Sequence, residues 1–336
     1  MRLEVRRETW PYLAPFRITN YVFTGAEVLV VSLEEDGLRG WGEAAGVYYH
    51  DETPASMTAQ VERVRSCIEA GADRAELGRL LPAGGARNAL DAALWDLEAK
   101  RTGVPAWKIA GAPPPRPLTT TFTVSAGAPR EMAEAARAYA GFPALKLKLT
   151  GDDPVACVRA VRQARPDAWL GVDANQGLSR QDLDRILPAM IEAGVGLIEQ
   201  PVPTGEDAQL RGLASPIPIA ADESVQSLAD LPALADLYQV INIKLDKSGG
   251  LTEGLAMERE ARRLGLKVMV GCMSGTSLSM APAFVLGQLC DFVDLDGPTF
   301  LSSDREIPAT YADGRIWCPE DLWGAPARPL SPEARR

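Results

Sequence analysis

The sequence predicts an α/β protein: a (β/α)7β TIM-like barrel carrying an N-terminal α+β capping domain. Three observations predict it. From about residue 118 onward, short apolar runs alternate with amphipathic segments at the spacing of βα units. Eight such runs within roughly 180 residues suit a closed parallel barrel better than an open doubly wound sheet. Ahead of them, strand-like and helical stretches read as a separate lobe, closed off by the Pro-rich joint GAPPPRPL (residues 111–118), where a helix cannot continue.

In chain order, AEVLVVSLEEDGLRGWGEA (residues 26–44) predicts two strands joined by a Gly-containing turn, and residues 59–97 read as helices. The barrel strands are LTTTFTV, ALKLKL, AWLGVD, GLIEQ, PIAADES, VINIKL, KVMVG and DFVDLDG. Between them lie PREMAEAARAYA, PVACVRAVRQA, SRQDLDRILPAMIEA and LTEGLAMEREARRLG, whose apolar residues recur at helical spacing. The tail from Leu301 carries several prolines and little periodicity, and is expected to pack back on the first lobe. The expected organisation is a capping domain over residues 1–115, a barrel over 116–300 and a C-terminal segment over 301–336.

Composition excludes several function classes. With 336 residues, 46% of them hydrophobic, the chain can bury one large core and a smaller one. A formal charge of −10, with no cluster of Lys and Arg, argues against nucleic acid and anionic membrane as partners. MRLEVRRETWPYLAPF lacks the apolar segment of a signal peptide, and no apolar run is long enough to span a bilayer, so a cytoplasmic location is expected. Cys67, Cys157, Cys272, Cys290 and Cys318 are scattered without a CxxC pair, which suggests neither a disulfide framework nor a zinc knuckle. His50 is the single histidine, so proton chemistry falls to lysines or carboxylates.

Lys146 and Lys148 share one face of a strand, with Leu145, Leu147 and Leu149 on the other. Alone, that pattern is a solvated edge. However, several strands end in a charged residue: Lys148, Asp173 in VDANQG, Glu199 in IEQP, Asp222 in ADES and Lys244 in NIKLDK. The C-terminal strand ends of a barrel converge on one mouth, which would gather three carboxylates with a lysine from the strand before and another from the strand after. Carboxylates without imidazole or thiolate suit a hard divalent cation, magnesium above all, although each acid alone would also read as a helix cap. A cation flanked by lysines suits removal of a proton beside a carboxylate, because the enediolate formed needs positive charge already in place. A dry site beside a cation lowers the ordinary lysine pKa of about 10.4 toward the operating range, and Lys146 is placed to push Lys148 the same way.

The motifs KLKL, VDANQG, IEQP, ADES, NIKLDKSGGLTE and DLDGP, with ARNALDAALWDLEAK in the first lobe, resemble the enolase superfamily. Within it they resemble the muconate lactonizing enzyme subgroup, and most closely its dipeptide epimerases of the L-Ala-D/L-Glu epimerase type; the resemblance spans nearly the whole chain. It implies that Asp173, Glu199 and Asp222 bind Mg2+, that Lys148 and Lys244 are acid/base catalysts on opposite faces of the substrate, and that Lys146 tunes Lys148. Lys247 follows the strand and is left to face solvent or to support the site.

The implied reaction is magnesium-dependent epimerisation of a dipeptide at the carbon α to its C-terminal carboxylate, by 1,1-proton transfer through an enediolate. A cycloisomerase, o-succinylbenzoate synthase or N-acylamino acid racemase of the same subgroup, and a non-catalytic metal- or peptide-binding protein, remain alternatives. The expected partner is a small-molecule dipeptide, and a homo-oligomer is the expected assembly.

In VDLDGP, the resemblance implies that Asp294 and Asp296 hold the substrate's α-ammonium group, a good charge match; capping a loop or extending the metal site are the alternatives. The segments RITNYVFTG (residues 17–25) and GVYYHDETP (residues 46–54) are expected to be loops that close over the mouth. Members acting on Ala-Glu carry an arginine late in the first loop; an ungapped alignment puts Phe23 there, so a side chain other than Glu is expected. Phe23, Tyr21, Tyr48 and Tyr49 would line an apolar pocket, Asp51 and Glu52 would receive a basic side chain, and Arg17 is left as a substitute for the missing arginine. Met273 and Ser274, in GCMSGTS, are expected to present backbone groups to the substrate, with Gly275 leaving extra room.

Overall fold

The strands β1 (Arg2–Ile18), β2 (Tyr21–Glu35) and β3 (Leu38–Ala45) form a three-stranded antiparallel sheet in a computed structural model that describes residues 1–18, 21–149 and 153–327. Asp36 and Gly37, with φ of 51° and 77°, make the two-residue turn between β2 and β3, the left-handed pair that tight hairpins favour. β1 has no counterpart in the sequence reading. It pairs with β2 along its length, with a register shift between Pro11 and Phe16. Of residues 17–25, expected as a loop, Arg17 and Ile18 belong to β1 and residues 21–25 to β2, while Thr19 and Asn20 lie outside the described residues.

Helices α1 (Pro54–Glu69), α2 (Arg74–Leu80) and α3 (Gly85–Thr102) pack on the sheet, and the short α4 (Ala106–Ile109) follows. Thr53 and Ser56 form a capping box that starts α1, with Pro54 at its first position. α3 lies directly on β3 because Gly40 and Gly42 carry no side chain: a Cβ would stand 2.2 Å from Ala93 O at the first and 2.0 Å from Ala89 O at the second.

After β4 (Leu118–Thr119) come the eight strands of one parallel sheet: β5 (Phe122–Val124), β6 (Ala144–Lys148), β7 (Trp169–Asp173), β8 (Val195–Glu199), β9 (Ile219–Ala221), β10 (Val240–Lys244), β11 (Lys267–Gly271) and β12 (Phe292–Asp294). Their spatial order is their sequence order, and Thr121 N donates to Val293 O at 3.0 Å, so the sheet nearly closes into a barrel. The outer helices are α5 (Pro129–Ala138), α6 (Pro154–Ala164), α7 (Arg180–Glu192), α8 (Leu231–Leu234), α9 (Leu245–Ser248), α10 (Leu251–Arg263) and α11 (Ser277–Gly287). Leu145, Leu147 and Leu149 enter the main apolar core, while the alternate residues Lys146 and Lys148 take the other face.

The sheet lobe and the barrel meet through α3. Asp246, at the start of α9, accepts hydrogen bonds from Ala45 N and Asn88 Nδ2, both at 3.0 Å. Thr252 N donates to Asp91 at 3.0 Å, and Trp95 Nε1 donates to Thr252 Oγ1 at 2.9 Å. Gly250, with φ of 118°, leaves the space Asp91 needs: a Cβ there would stand 2.4 Å from its carboxylate. The hairpin of β13 (Thr310–Ala312) and β14 (Arg315–Trp317) adds to β4, and beyond it Trp323 Nε1 donates to Trp41 O at 3.0 Å. The five cysteines are free thiols. Among the described residues no helix is long and apolar enough to cross a membrane.

Candidate active site

Lys148, Asp173 and Glu199 are the last residues of three adjoining strands and are paired in register, so their side chains start at one level of the barrel. Asp222 follows β9, and Lys244 ends β10. In an eight-stranded barrel β6 and β10 are four positions apart, which puts Lys148 and Lys244 on opposite sides of the mouth with the three acids between them. Carboxylate oxygens of Asp173, Glu199 and Asp222 lie within 4.8 Å of one another, and all three residues are buried.

Four buried lysines pair with this cluster. Lys146 Nζ stands 2.7 Å from Glu199 Oε2, 2.7 Å from Asp294 Oδ2 and 3.1 Å from Asp173 Oδ2. Lys148 Nζ is 2.6 Å from Asp173 Oδ2, and Lys244 Nζ is 2.6 Å from Asp222 Oδ2. Lys247 is buried as well and does not face solvent: its ammonium meets Asp222 Oδ1 at 2.5 Å and Asn242 O at 3.2 Å. That settles the alternative left open for it in favour of support.

Burial pulls the Lys146 ammonium down, but Asp294, Glu199 and Asp173 outweigh it and hold Lys146 well above the usual lysine range. Burial likewise opposes ionisation of Asp173, yet Lys148 and Lys146 bring it down to about 2. Glu199 goes the other way: burial, then the charge of Asp173, push its carboxyl up to about 8. Neighbouring Glu223 is pushed up to about 7 by burial and by Asp222 and Asp173.

Three buried, convergent carboxylates without imidazole or thiolate fit magnesium. Asn242 Nδ2 donates to Glu199 Oε1 at 2.9 Å, which orients that carboxylate. The Gln200 side chain accepts from Asp222 N at 2.9 Å and so fixes the turn that carries Asp222.

Above this floor lies a cavity of about 360 Å3. Lys148, Lys244 and Asn175 line it from the barrel, Met273 and Ser274 from the loop after β11, and Phe23 and Tyr48 from the sheet lobe. The Phe23 and Tyr48 rings stand 5.3 Å apart, and Tyr21 packs on Tyr48 at 4.7 Å. Arg17 is exposed and does not line the cavity.

Asp294 and Asp296 are buried beside the cavity rather than in its lining. Thr121 Oγ1 donates to Asp294 Oδ1 at 2.5 Å, and Thr123 N donates to Asp296 Oδ2 at 2.6 Å. Gly275 leaves no extra room: a Cβ there would stand 2.4 Å from Ser279 Oγ. Its bareness lets Glu43 of β3 reach the loop, where Thr276 N donates to Glu43 Oε1 at 2.7 Å.

Phe16 and Ile18 line the cavity from β1 and were missed with that strand. Asn175, Gln200 and Glu223 were missed although each sits inside a motif that supplied a candidate ligand. Their signal was a polar residue one or two positions beyond a strand-end acid.

Residues 1–111 match the sequence profile of the mandelate racemase / muconate lactonizing enzyme N-terminal domain, and residues 129–322 that of the enolase C-terminal domain-like family. The chain is 41% identical over 316 residues to the L-Ala-D/L-Glu epimerase of Escherichia coli K12, covering 94% of this chain and 98% of that one. Among solved structures, an enolase family member from Agrobacterium tumefaciens with bound sodium and L-Ala-L-Glu superposes with a TM-score of 0.93 at 42% identity, covering 96% and 99% of the two chains. A dipeptide epimerase from Methylococcus capsulatus, complexed with Mg and L-Arg-D-Lys, gives a TM-score of 0.87 at 33% identity, with 96% and 98% covered.

Proposed function

The chain belongs to the mandelate racemase / muconate lactonizing enzyme family of the enolase superfamily, and from that premise we propose that it epimerises dipeptides at the carbon α to the C-terminal carboxylate, with Mg2+ as cofactor. The reading rests on one relation: two lysines on opposite sides of the barrel mouth line one cavity, with three convergent carboxylates between them. Held by Asp173, Glu199 and Asp222, magnesium supplies fixed positive charge that makes the α-proton of a bound carboxylate more acidic.

In its neutral form, Lys148 or Lys244 takes that proton from one face of the substrate. The opposite lysine, as an ammonium, returns its own proton to the other face, so each turnover inverts the carbon and exchanges the charge states of the two amines. Lys146 adds a second cation beside Asp173, the carboxylate that also meets Lys148. Asp294 and Asp296 lie beside the cavity, bonded to Thr121, Lys146 and Thr123, and give that side of the site the negative charge that suits the peptide's α-ammonium. The sheet lobe, tied down through Glu43 and Asp246, excludes water from the enediolate.

The side chain at the reacting carbon projects toward Phe23, Tyr48, Phe16 and Ile18. Lys148 and Lys244 are the cations among the lining residues, and both are engaged by the reaction, so a glutamate side chain finds no partner and an apolar one is preferred. The test is a library of L,L-dipeptides incubated with protein and Mg2+ in D2O. A new diastereomer carrying α-deuterium, strongest for apolar C-terminal residues, supports the reading; elimination or ring closure without α-deuterated epimer overturns it.

A further inference from the structure

In the turn Tyr48–His50, Tyr48 and Tyr49 are half-buried against the main core, and the Tyr48 ring meets Tyr21, Phe23 and Tyr49. Those ring contacts leave the backbone of the turn still to be tied to α3. Glu52 carries the bonds that do so. Its Oε2 accepts from Val47 N at 3.1 Å, and both carboxylate oxygens accept from Gly85 N at 3.1 Å.

Gly85 is the first residue of the 18-residue α3, whose N-cap, Gly84, offers no side-chain acceptor. The Glu52 carboxylate takes that place, where negative charge is favoured. The two glycines make the approach possible: a Cβ on Gly84 would stand 2.8 Å from Glu52 Oε1, and one on Gly85 would meet Met57 Sδ at 2.4 Å. α3 is in turn bonded to the barrel through Asn88 and Asp91.

We propose that Glu52 is a positioning residue for the substrate side-chain pocket: its carboxylate ties the Tyr48 turn to the start of α3 and so registers the Tyr48 ring against the barrel that carries the reacting lysines. This rests on the dipeptide epimerase reading above. It gives Glu52 a structural task that differs from the expected receipt of a basic side chain. The turn is a partition, too. A second cavity of about 450 Å3, reached by His50, Gln226 and Lys247, lies beyond it, and Asp51 and Glu52 line both spaces.

The test compares wild type, Glu52→Gln and Glu52→Ala, all with Mg2+, on L-Ala-L-Phe, L-Ala-L-Ala and L-Ala-L-Lys, together with amide hydrogen exchange of the full chain. Glutamine keeps the size but sets an NH2 group against the amide donors. Both variants are expected to raise KM for L-Ala-L-Phe by about tenfold, the scale of one lost aromatic contact, and to leave kcat/KM for L-Ala-L-Ala within about twofold. The amides of Val47 and Gly85 are expected to exchange at least about tenfold faster.

Selective loss of L-Ala-L-Lys turnover with L-Ala-L-Phe untouched would make Glu52 a substrate receptor and overturn the proposal. Equal losses on all three substrates would reduce Glu52 to a general stability role and overturn it as well. If wild type turns over none of the dipeptides, the epimerase reading fails by itself; the exchange at Val47 and Gly85 then still decides whether the tie exists, and unchanged exchange rules it out.

Discussion

The Lys146 ammonium stands 2.7 Å from the Glu199 carboxylate, and both side chains are buried at the barrel mouth. Lys146 reaches Asp173 and Asp294 as well, so it supplies part of the positive charge that the three acids require. Magnesium held by the three acids would bind only the folded site. Added Mg2+ should therefore stabilise the protein by about 2.7 kcal/mol at a hundred times its Kd. EDTA should reverse the gain. In Glu199→Gln, which preserves shape but removes one anionic ligand, the Mg2+-dependent rise in Tm should be largely lost; a full rise would show that the cation binds elsewhere.

Phe23 lines the cavity above the lysines, and its ring packs on Tyr48. A cation placed there would give an acidic side chain the partner it lacks. Phe23→Arg should shift the kcat/KM ratio of L-Ala-L-Glu over L-Ala-L-Leu upward by at least about tenfold, the lower range for a charge-assisted hydrogen bond. No change in that ratio would place the specificity pocket away from Phe23.

Asp246 joins β3, α3 and the barrel, and burial, opposed in part by its bonds to Asn88 and Ala45, pushes its carboxyl up to about 7. The folded state thus favours the protonated acid, relative to an unfolded carboxyl near 3.8. The stability this contributes is complete below about pH 4 and is lost as pH rises through 7. Asp246→Asn keeps the accepting oxygen and removes the titration. Its stability relative to wild type, read by urea unfolding, should rise between pH 4 and 8 by at most about 4 kcal/mol. A difference that stays flat over that range would contradict the electrostatic account of this junction.

The barrel was legible because each of its strands is a short apolar run punctuated by a helical period, and Lys148, Asp173, Glu199, Asp222 and Lys244 stand where those runs stop. β1 was not legible: RLEVRRETWPYLAPFRI is charged, interrupted by prolines and mostly exposed, and it is a strand only because β2 pairs with it. Lys247 lies one helical turn beyond Lys244, so periodicity could not tell that Asp222 and Asn242 draw it inward. Gly275 shows the same limit. Its missing side chain reads as space in one dimension, whereas in three it is filled by Ser279 and by Glu43, more than 200 residues away along the chain.

The central claim is that Lys148 and Lys244 act on opposite faces of one carbon, and single-face exchange in D2O tests it most directly. Each purified diastereomer of an accepted dipeptide is incubated with Lys148→Ala or Lys244→Ala and followed by NMR at the α-position. Epimerisation should fall by about 10²–10⁴-fold in both variants, while Mg2+-dependent stabilisation persists. Each variant should still exchange the α-proton of one diastereomer for deuterium without inverting it, and the two variants should choose opposite diastereomers. If either variant epimerises at the wild-type rate, or if both wash in deuterium from the same diastereomer, the two-lysine account is wrong.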